Sequence, residues 1–382
     1  MHAPKPSERL VSLDVFRGLT VAGMLLVNNP GSWGAIYPPL AHASWHGWTP
    51  TDLIFPFFLF IVGITTHLSL AVRRRRGDSD AVLRRQVIRR GVLIVLIGWG
   101  LAAFPFYPIE RFTELRIPGV LPRIGVAYLC AGLLTLNASV KQVVGMLAVL
   151  LYGYWFAMTL LPVPGGCELG ALCLNDPSRT LAAWVDRALL DGHLWKAAKT
   201  WDPEGPLSTL PAIGTAMLGV LCGRWIALTD RPLADRLNAM FAVGALMMVA
   251  GLMWNWSFPI NKGLWTSSYV LFSAGMAAAA IATITWIIDV QRVTWWTRPL
   301  VIYGVNPIVA FVGSGMMARI IYSLWKIDVD GTPVAVQSVV YKAAFASWLE
   351  PRNASFAFAL CFVLCWYAVL AALYRRNLIL KV

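Results

Sequence analysis

Apolar residues along this chain gather into ten long runs, near 10–29, 53–72, 88–107, 119–136, 142–163, 208–228, 237–256, 266–289, 299–322 and 355–374. Each approaches the roughly 20 residues a helix needs to cross a hydrocarbon core about 30 Å thick. The pattern predicts an all-α integral membrane protein with about ten transmembrane helices, the run at 299–322 being divided near Pro307. The first run lacks a small-residue cleavage site and continues into polar sequence, so it reads as a retained helix rather than a signal peptide. Outward loops are expected near 30–50, 163–207 and 323–354. The second holds an amphipathic helix over LAAWVDRALL. In the third, DVDGTP makes a turn and VAVQSVVYKAAFASWL lies along the interface. Residues 1–382 read as a single transmembrane domain without low-complexity segments or an evident internal repeat.

Composition agrees with a membrane setting. The chain is 58% hydrophobic and only 13% charged, with a mean hydropathy of +0.63, whereas soluble domains carry about 25% charged residues. The formal net charge of +13 suggests nucleic acid until its distribution is read. Arg73, Arg74, Arg75, Arg76, Arg84, Arg85, Arg89 and Arg90 crowd the connection after the second run. Lys5 and Arg9 precede the first run, and Arg375, Arg376 and Lys381 follow the last. A helix-by-helix count puts Arg224, Arg231, Arg236, Arg292 and Arg298 on the same side. This is the positive-inside bias, and it places both termini in the cytoplasm. Residues 28–50 contain no Lys or Arg and so face outward. Most of the arginine run is explained by topology and anionic-lipid binding, which makes membrane lipid a partner and nucleic acid not one.

Cys167 and Cys173 flank a short segment in the long outward connection, where an oxidising compartment permits a disulfide, although spacing alone does not establish one. Cys130, Cys222, Cys361 and Cys365 lie in apolar helices and suit packing. No metal-ligand cluster, nucleotide-binding glycine loop or nucleic-acid-binding pattern is present.

The chemistry concentrates between the first two runs. An irregular Gly/Pro-rich segment is not stable against lipid, so this one is wet or enclosed by protein. It carries His42, with Asp52 opening the second run. Imidazole exchanges protons near neutral pH, and a carboxylate can orient it and stabilise its charged form. Asn28 and Asn29 end the first run and can donate to a developing oxyanion. The plainer reading is that Asp52 in TPTD caps its helix and His42 is a satisfied loop histidine. Both readings stand on the residues alone.

Other polar residues are two-sided in the same way. Asp14 and Arg17 share a helix face near the inner interface, as an ion pair or a ligand anchor. Arg123 follows Pro118 and Pro122 inside an apolar run. It either pairs with Asp52 or Glu204, lines a cavity, or snorkels. Asp202, Glu204, Asn261 and Lys262 end outward connections. Trp45, Trp48, Trp201 and Trp265 offer aromatic faces there, although an interfacial belt accounts for most of the tryptophans. Asn306 suits an internal cavity or a kinked backbone. His67 and His193 lack a comparable constellation.

The segments SLDVFRGLTVAGMLLVNN and LAHASWHGWTPTDLIFPFFLFIVG resemble the heparan-α-glucosaminide N-acetyltransferase family. LRIPGVLPRIGVAYL, WDPEGPLSTLPAIGTAMLGVLCG, FPINKGLWTSSYVL and GVNPIVAF match in the same order, so the resemblance spans most of the chain. It implies a transmembrane acetyltransferase with His42 as the active-site residue and Asn28 beside it. The loop between them, with Pro30, Pro38 and Pro39, departs somewhat from the family pattern, which bears on acceptor choice. The resemblance also implies acetyl-CoA as donor from the cytoplasm and an amino sugar or glycan as acceptor on the far side. On that reading, His42, Asn28 and Asp52 are the catalytic candidates. Arg17, Asp14, Arg123 and Asn306 are the coenzyme candidates. Asn29, Trp45, Trp48, Asp202, Glu204, Asn261 and Lys262 are the acceptor candidates. No metal is implied. A homodimer is compatible with the resemblance, and the basic loops suit a bacterial inner membrane with the site facing the periplasm. Two alternatives remain open at this point: a transporter of N-acetylglucosamine or a related sugar, and an O-acetyltransferase of an envelope glycan. His42 and Asn28 favour catalysis over transport but do not choose between amine and hydroxyl.

Overall fold

The computed structural model describes residues 10–380; Lys5, Arg9 and Lys381, used in the charge argument, lie outside them. Among the described residues thirteen α-helices follow in order: α1 Val11–Asn28, α2 Ile54–Arg75, α3 Asp80–Ala103, α4 Val120–Thr135, α5 Val140–Leu160, α6 Leu181–Leu190, α7 Pro206–Ile226, α8 Leu233–Trp254, α9 Ser267–Thr285, α10 Thr297–Val305, α11 Pro307–Arg319, α12 Val336–Tyr341 and α13 Pro351–Arg375. The strands β1 Lys326–Val329 and β2 Thr332–Ala335 form one hairpin between α11 and α12. The protein is therefore an all-α membrane protein. Nine helices among the described residues are long and apolar enough to span a bilayer, and α4 is a shorter apolar helix. The expected division at Pro307 is where α10 ends and α11 begins, because proline has no N–H to continue the ladder and crowds the preceding turn.

The chain forms two compact units. The first comprises residues 10–37, Leu237–Phe241 and 279–380. Here α1 packs along α10, and α13 packs on both. The α1–α10 crossing is set by glycines. A Cβ on Gly18 would lie 1.8 Å from the Leu300 carbonyl oxygen, and one on Gly304 would lie 2.0 Å from that of Asp14. The DVDGTP turn becomes the tip of the β1–β2 hairpin, where Asp330 and Gly331 both take the positive φ that a two-residue primed turn requires. The stretch after the hairpin forms α12, whose Gln337 donates to the Gly31 carbonyl.

The second unit comprises Pro38–Arg236 and Ala242–Ala278. In it α2 packs along α7, α4 and α5 pack on α7, and α3 packs on α4. The α2–α7 contact is backbone to backbone: a Cβ on Gly63 would lie 2.0 Å from the Ala216 oxygen, and one on Gly219 2.1 Å from that of Phe60. Within lipid, apolar side chains gain little by leaving lipid for one another, so close packing of small residues holds such crossings. The expected amphipathic segment LAAWVDRALL is α6, capped by Thr180 and buried on Ala182, Ala183 and Asp186. Cys167 and Cys173 form a disulfide.

Gly63→Val or Gly219→Val should force α2 and α7 apart and cost about 3 kcal/mol or more, read as loss of monodisperse protein on size-exclusion in detergent. Gly153→Ala on α5, where a Cβ meets nothing within 4 Å, should behave as wild type. Equal behaviour of the three variants would contradict this account of the crossing.

Candidate active site

The second unit assembles a polar cluster at the N-terminal end of α2. Its centre is Asp52, only 1% exposed, in a short 3-10 turn, Pro50–Leu53, that leads into the helix. The two carboxylate oxygens divide their work. Oδ2 accepts from the backbone N–H of Ala43 at 3.0 Å, from that of Thr49 at 3.0 Å and from the Thr49 hydroxyl at 3.2 Å. Oδ1 lies 2.7 Å from His42 Nδ1. The Tyr269 hydroxyl donates to the Asp52 main-chain oxygen at 2.5 Å. Capping and histidine orientation, alternatives in the sequence, are thus both present on one side chain.

The Asp52 contact favours one neutral tautomer of His42, and the Lys262 ammonium 3.0 Å from the same Nδ1 opposes it. An ionised carboxylate offers only acceptors, so in the favoured tautomer Nδ1 carries the proton directed at Asp52 and Nε2 is left with its lone pair. The His42 side chain is 48% exposed, in contrast to its partner. A buried acid therefore aims an accessible base.

Lys262 joins them from the turn between α8 and α9. Its Nζ lies 3.0 Å from Nδ1 and 3.4 Å from Nε2 of His42, and 3.4 Å from Asp52 Oδ1. Burial holds its ammonium below the usual lysine range, with the Asp52 charge opposing that shift. Its turn is built by Asn261, whose Oδ1 accepts from Leu264 N at 2.8 Å and whose Nδ2 reaches His46 Nδ1 at 3.3 Å. Trp265 closes the turn with φ of 52°. A bulky residue tolerates that conformation only under strong packing, which its buried ring and the bond from Nε1 to the Thr215 hydroxyl supply. Trp45 donates to the Leu174 carbonyl at 2.7 Å and meets Trp201 edge to face at 5.2 Å. Trp48 is 39% exposed and lies 4.9 Å from Phe272.

A second network borders the WDPEG turn. Arg116, which the sequence did not single out, bonds Asp202 through Nε at 2.8 Å and NH2 at 2.5 Å, and Glu204 through NH2 at 2.5 Å. Burial works against its charge, but the two carboxylates outweigh burial and raise its pKa. Asp186 on α6 accepts from Asp202 N at 2.9 Å through Oδ2, while its buried Oδ1 has no hydrogen-bond partner. Burial pushes this carboxyl up to about 7, aided by the Asp202 charge and opposed by the Asp202 N–H. Arg123 is 2% exposed. It donates to the Ser208 hydroxyl and, at 3.3 Å, to the Gly205 carbonyl. Its guanidinium lies 5.1 Å from the Trp265 ring centre. It forms no ion pair with Asp52 or Glu204 among the described residues, and its Nε and NH1 lack partners.

The remaining candidates belong to the first unit. Asn28 is the exposed last residue of α1. Asn29 is buried and donates to the Leu25 carbonyl at 2.8 Å, closing that helix. Arg17 NH1 bonds both Asp14 Oδ1 and the Gly304 carbonyl at 3.0 Å. Asn306 is engaged on both sides, donating to the Leu378 oxygen and accepting from Leu380 N at 3.0 Å each. No group of three or more His, Cys, Asp or Glu able to hold a metal occurs among the described residues.

A buried carboxylate orienting an accessible imidazole, with a lysine alongside, on a multi-helix membrane scaffold is a proton-transfer or acyl-transfer arrangement. Residues 9–183 match the catalytic region of heparan-alpha-glucosaminide N-acetyltransferase. The human protein of that name is 31% identical over 367 residues, which is 84% of this chain and 54% of the human one. The mouse protein is 30% identical over 371 residues, 84% of this chain and 55% of its own. A 39.9 kDa uncharacterized protein from Bacillus acidopullulyticus is 29% identical over 119 residues, covering 30% of this chain and 33% of that one. The chain belongs to the heparan-α-glucosaminide N-acetyltransferase family. It spans about half the length of the human and mouse relatives it matches.

The Asp186 carboxyl yields a stability prediction. With its folded pKa raised from 3.8 to about 7, the folded state holds a proton that the unfolded state releases. Stability is therefore greatest below about pH 4 for this group and falls as pH rises through 7. The full shift corresponds to an upper bound on the order of 4 kcal/mol. Asp186→Asn should flatten the drop in thermal midpoint between about pH 5 and about pH 8 in detergent. An unchanged slope would contradict the assignment.

Proposed function

We propose that this protein is a transmembrane acetyltransferase that moves the acetyl group of acetyl-CoA onto the amine of an amino sugar of the glucosamine type. The observation that carries the reading is the Asp52–His42 pair, which leaves Nε2 as a free base in a chain of this family. Nε2 takes the proton of the attacking amine as its nitrogen bonds the thioester carbonyl. Collapse of the tetrahedral intermediate breaks the C–S bond, and the histidinium returns the proton to the departing thiolate. Asp52 stabilises the histidinium, and the Lys262 ammonium, 3.4 Å from Nε2, is placed to support the oxyanion. A route through an acetyl-histidine is the nucleophilic variant of the same arrangement.

For the remaining site residues the reading divides by chemistry. Asp202 and Glu204, aligned by Arg116, together with Trp45, Trp48 and Asn261, suit the hydroxyls and apolar faces of a sugar. Arg123, with two nitrogens unpartnered among the described residues, suits an oxygen-rich group of donor or acceptor. The oxyanion role of Asn28, the acceptor role of Asn29 and coenzyme roles for Arg17, Asp14 and Asn306 rest on the resemblance. Orientation is proposed from charge: α2 carries Asp52 near one end and Arg73–Arg75 at the other. The His42 end then faces the periplasm of a bacterial inner membrane.

The test is transfer of labelled acetyl from acetyl-CoA to glucosamine by purified protein in liposomes. Wild type should transfer, folded His42→Ala should lose about 10³-fold or more, and Asp52→Asn about 10²–10⁴-fold with the tautomer lost. Asn28→Ala should lower kcat about 10²-fold. Absence of transfer by wild type with sugar still crossing the membrane would overturn the reading in favour of transport. Transfer only to a hydroxyl acceptor would move it to O-acetylation.

A further inference from the structure

The arginine-rich end of α2 borders an open recess of about 400 Å³ that the His42 cluster does not use. Its wall is made by the last two turns of α2, the end of α4 and the segment after it, and α7. Those elements contribute His67, Arg74 and Arg75, then Thr135 and Asn137, then Arg224. Three guanidiniums and an imidazole line it, and no carboxylate does.

Part of this charge has a structural cause. Arg224 NH2 donates to the Thr135 carbonyl at 2.6 Å and Arg74 NH1 to the Leu136 carbonyl at 3.3 Å, so both cap the C-terminal end of α4. Arg74 is further tied to Asp80 at 2.8 Å and to Asn137 at 2.7 Å. Capping does not account for the rest. Among the described residues Arg75 has only a 3.4 Å bond from Nε to the Ala71 carbonyl and no carboxylate partner. Arg224 has no carboxylate partner among the described residues either. His67, half-buried against them, makes no hydrogen bond among the described residues. Asp80 offsets Arg74, but Arg75 and Arg224 face the recess without a carboxylate among the described residues, and a multiply charged anion relieves their repulsion. Planar guanidinium forks and an imidazole N–H are the donors that phosphate oxygens take best. The recess volume falls in the range of ligand sites.

We propose that this recess binds the phosphate groups of an anionic ligand, through Arg75, Arg224 and His67. The same chemistry has two sources: the phosphates of a coenzyme A thioester or the headgroup of an anionic lipid. The first deepens the acetyltransferase reading and rests on it. His67 lies on α2 about 20 Å, at about 1.5 Å per residue, from the helix start that the Asp52 turn leads into, so a long donor held here would point its far end along α2 toward the His42 cluster.

The experiment uses the full chain in phosphatidylcholine nanodiscs, comparing wild type with Arg75→Gln and Arg224→Gln. One arm measures the Kd of coenzyme A. The other counts phosphatidic acid retained, by native mass spectrometry, after exposure to mixed phosphatidylcholine and phosphatidic acid vesicles. Arg75 makes no contact on which folding depends, so its variant remains informative if Arg224→Gln fails to fold. Weakening of coenzyme A binding by about tenfold in Arg75→Gln supports the site and assigns it to the coenzyme. A comparable loss of phosphatidic acid retention, with coenzyme A binding unchanged, supports it and assigns it to lipid. Both readouts unchanged in Arg75→Gln overturns the proposal. If wild type transfers no acetyl group yet either readout remains Arg75-dependent, the acetyltransferase reading falls and this site stands.

Discussion

The candidate site depends on a buried carboxylate. Removing Asp52 from water costs several kcal/mol unless its lone pairs are met. They are met by two backbone N–H groups, a hydroxyl and an imidazole N–H. Because Oδ2 gathers the loop onto the start of α2 and Oδ1 holds the histidine, loop geometry and ring orientation are one interaction. The exposed edge of the imidazole is reactive because its inner edge is committed. Tyr269 and the strained Trp265 add the outer support, one through the Asp52 main chain and the other through the turn that presents Lys262.

That constellation rests on backbone contact. With Gly63 and Gly219 placing α2 directly on α7, α2 becomes a rigid rod carrying Asp52 near one end and the basic recess at the other. Arg123 enters the same unit from α4 and reaches the WDPEG turn through Ser208 and Gly205. The polar residues near the site are thus supported by three helices and by the turns that join them, and the lipid-facing sides are left to apolar side chains.

Much of this was legible in the sequence. Long apolar runs specify spanning helices because lipid permits little else, and the break at Pro307 follows from a missing N–H. His42 and Asp52 stood out as a titratable pair in a Gly/Pro-rich mouth, but helix capping explained them equally well until the family resemblance favoured catalysis. The division of labour within Asp52 did not stand out, since a sequence shows a cap and a triad partner as rivals when one carboxylate has oxygens for both. Lys262 was assigned to acceptor binding, and only folding brings it 3.0 Å from a histidine 220 residues away. Arg116 and Asp186 were missed because a lone charge carries no signal until its partners, here Asp202 and Glu204 in a distant connection, are known. His67 was set aside because the sequence showed no constellation around it comparable to that of His42. Its neighbours are Arg74 and Arg75 of α2 together with the end of α4 and Arg224 of α7.

The most direct test of the central claim is the proton position on His42. Nitrogen-15 histidine spectra of the protein in nanodiscs at alkaline pH, with His42 assigned by comparison with His42→Gln, distinguish the two neutral tautomers. The account predicts a protonated Nδ1 and an unprotonated Nε2. A protonated Nε2 would contradict it, because the base would then face inward and Asp52 would not be holding it.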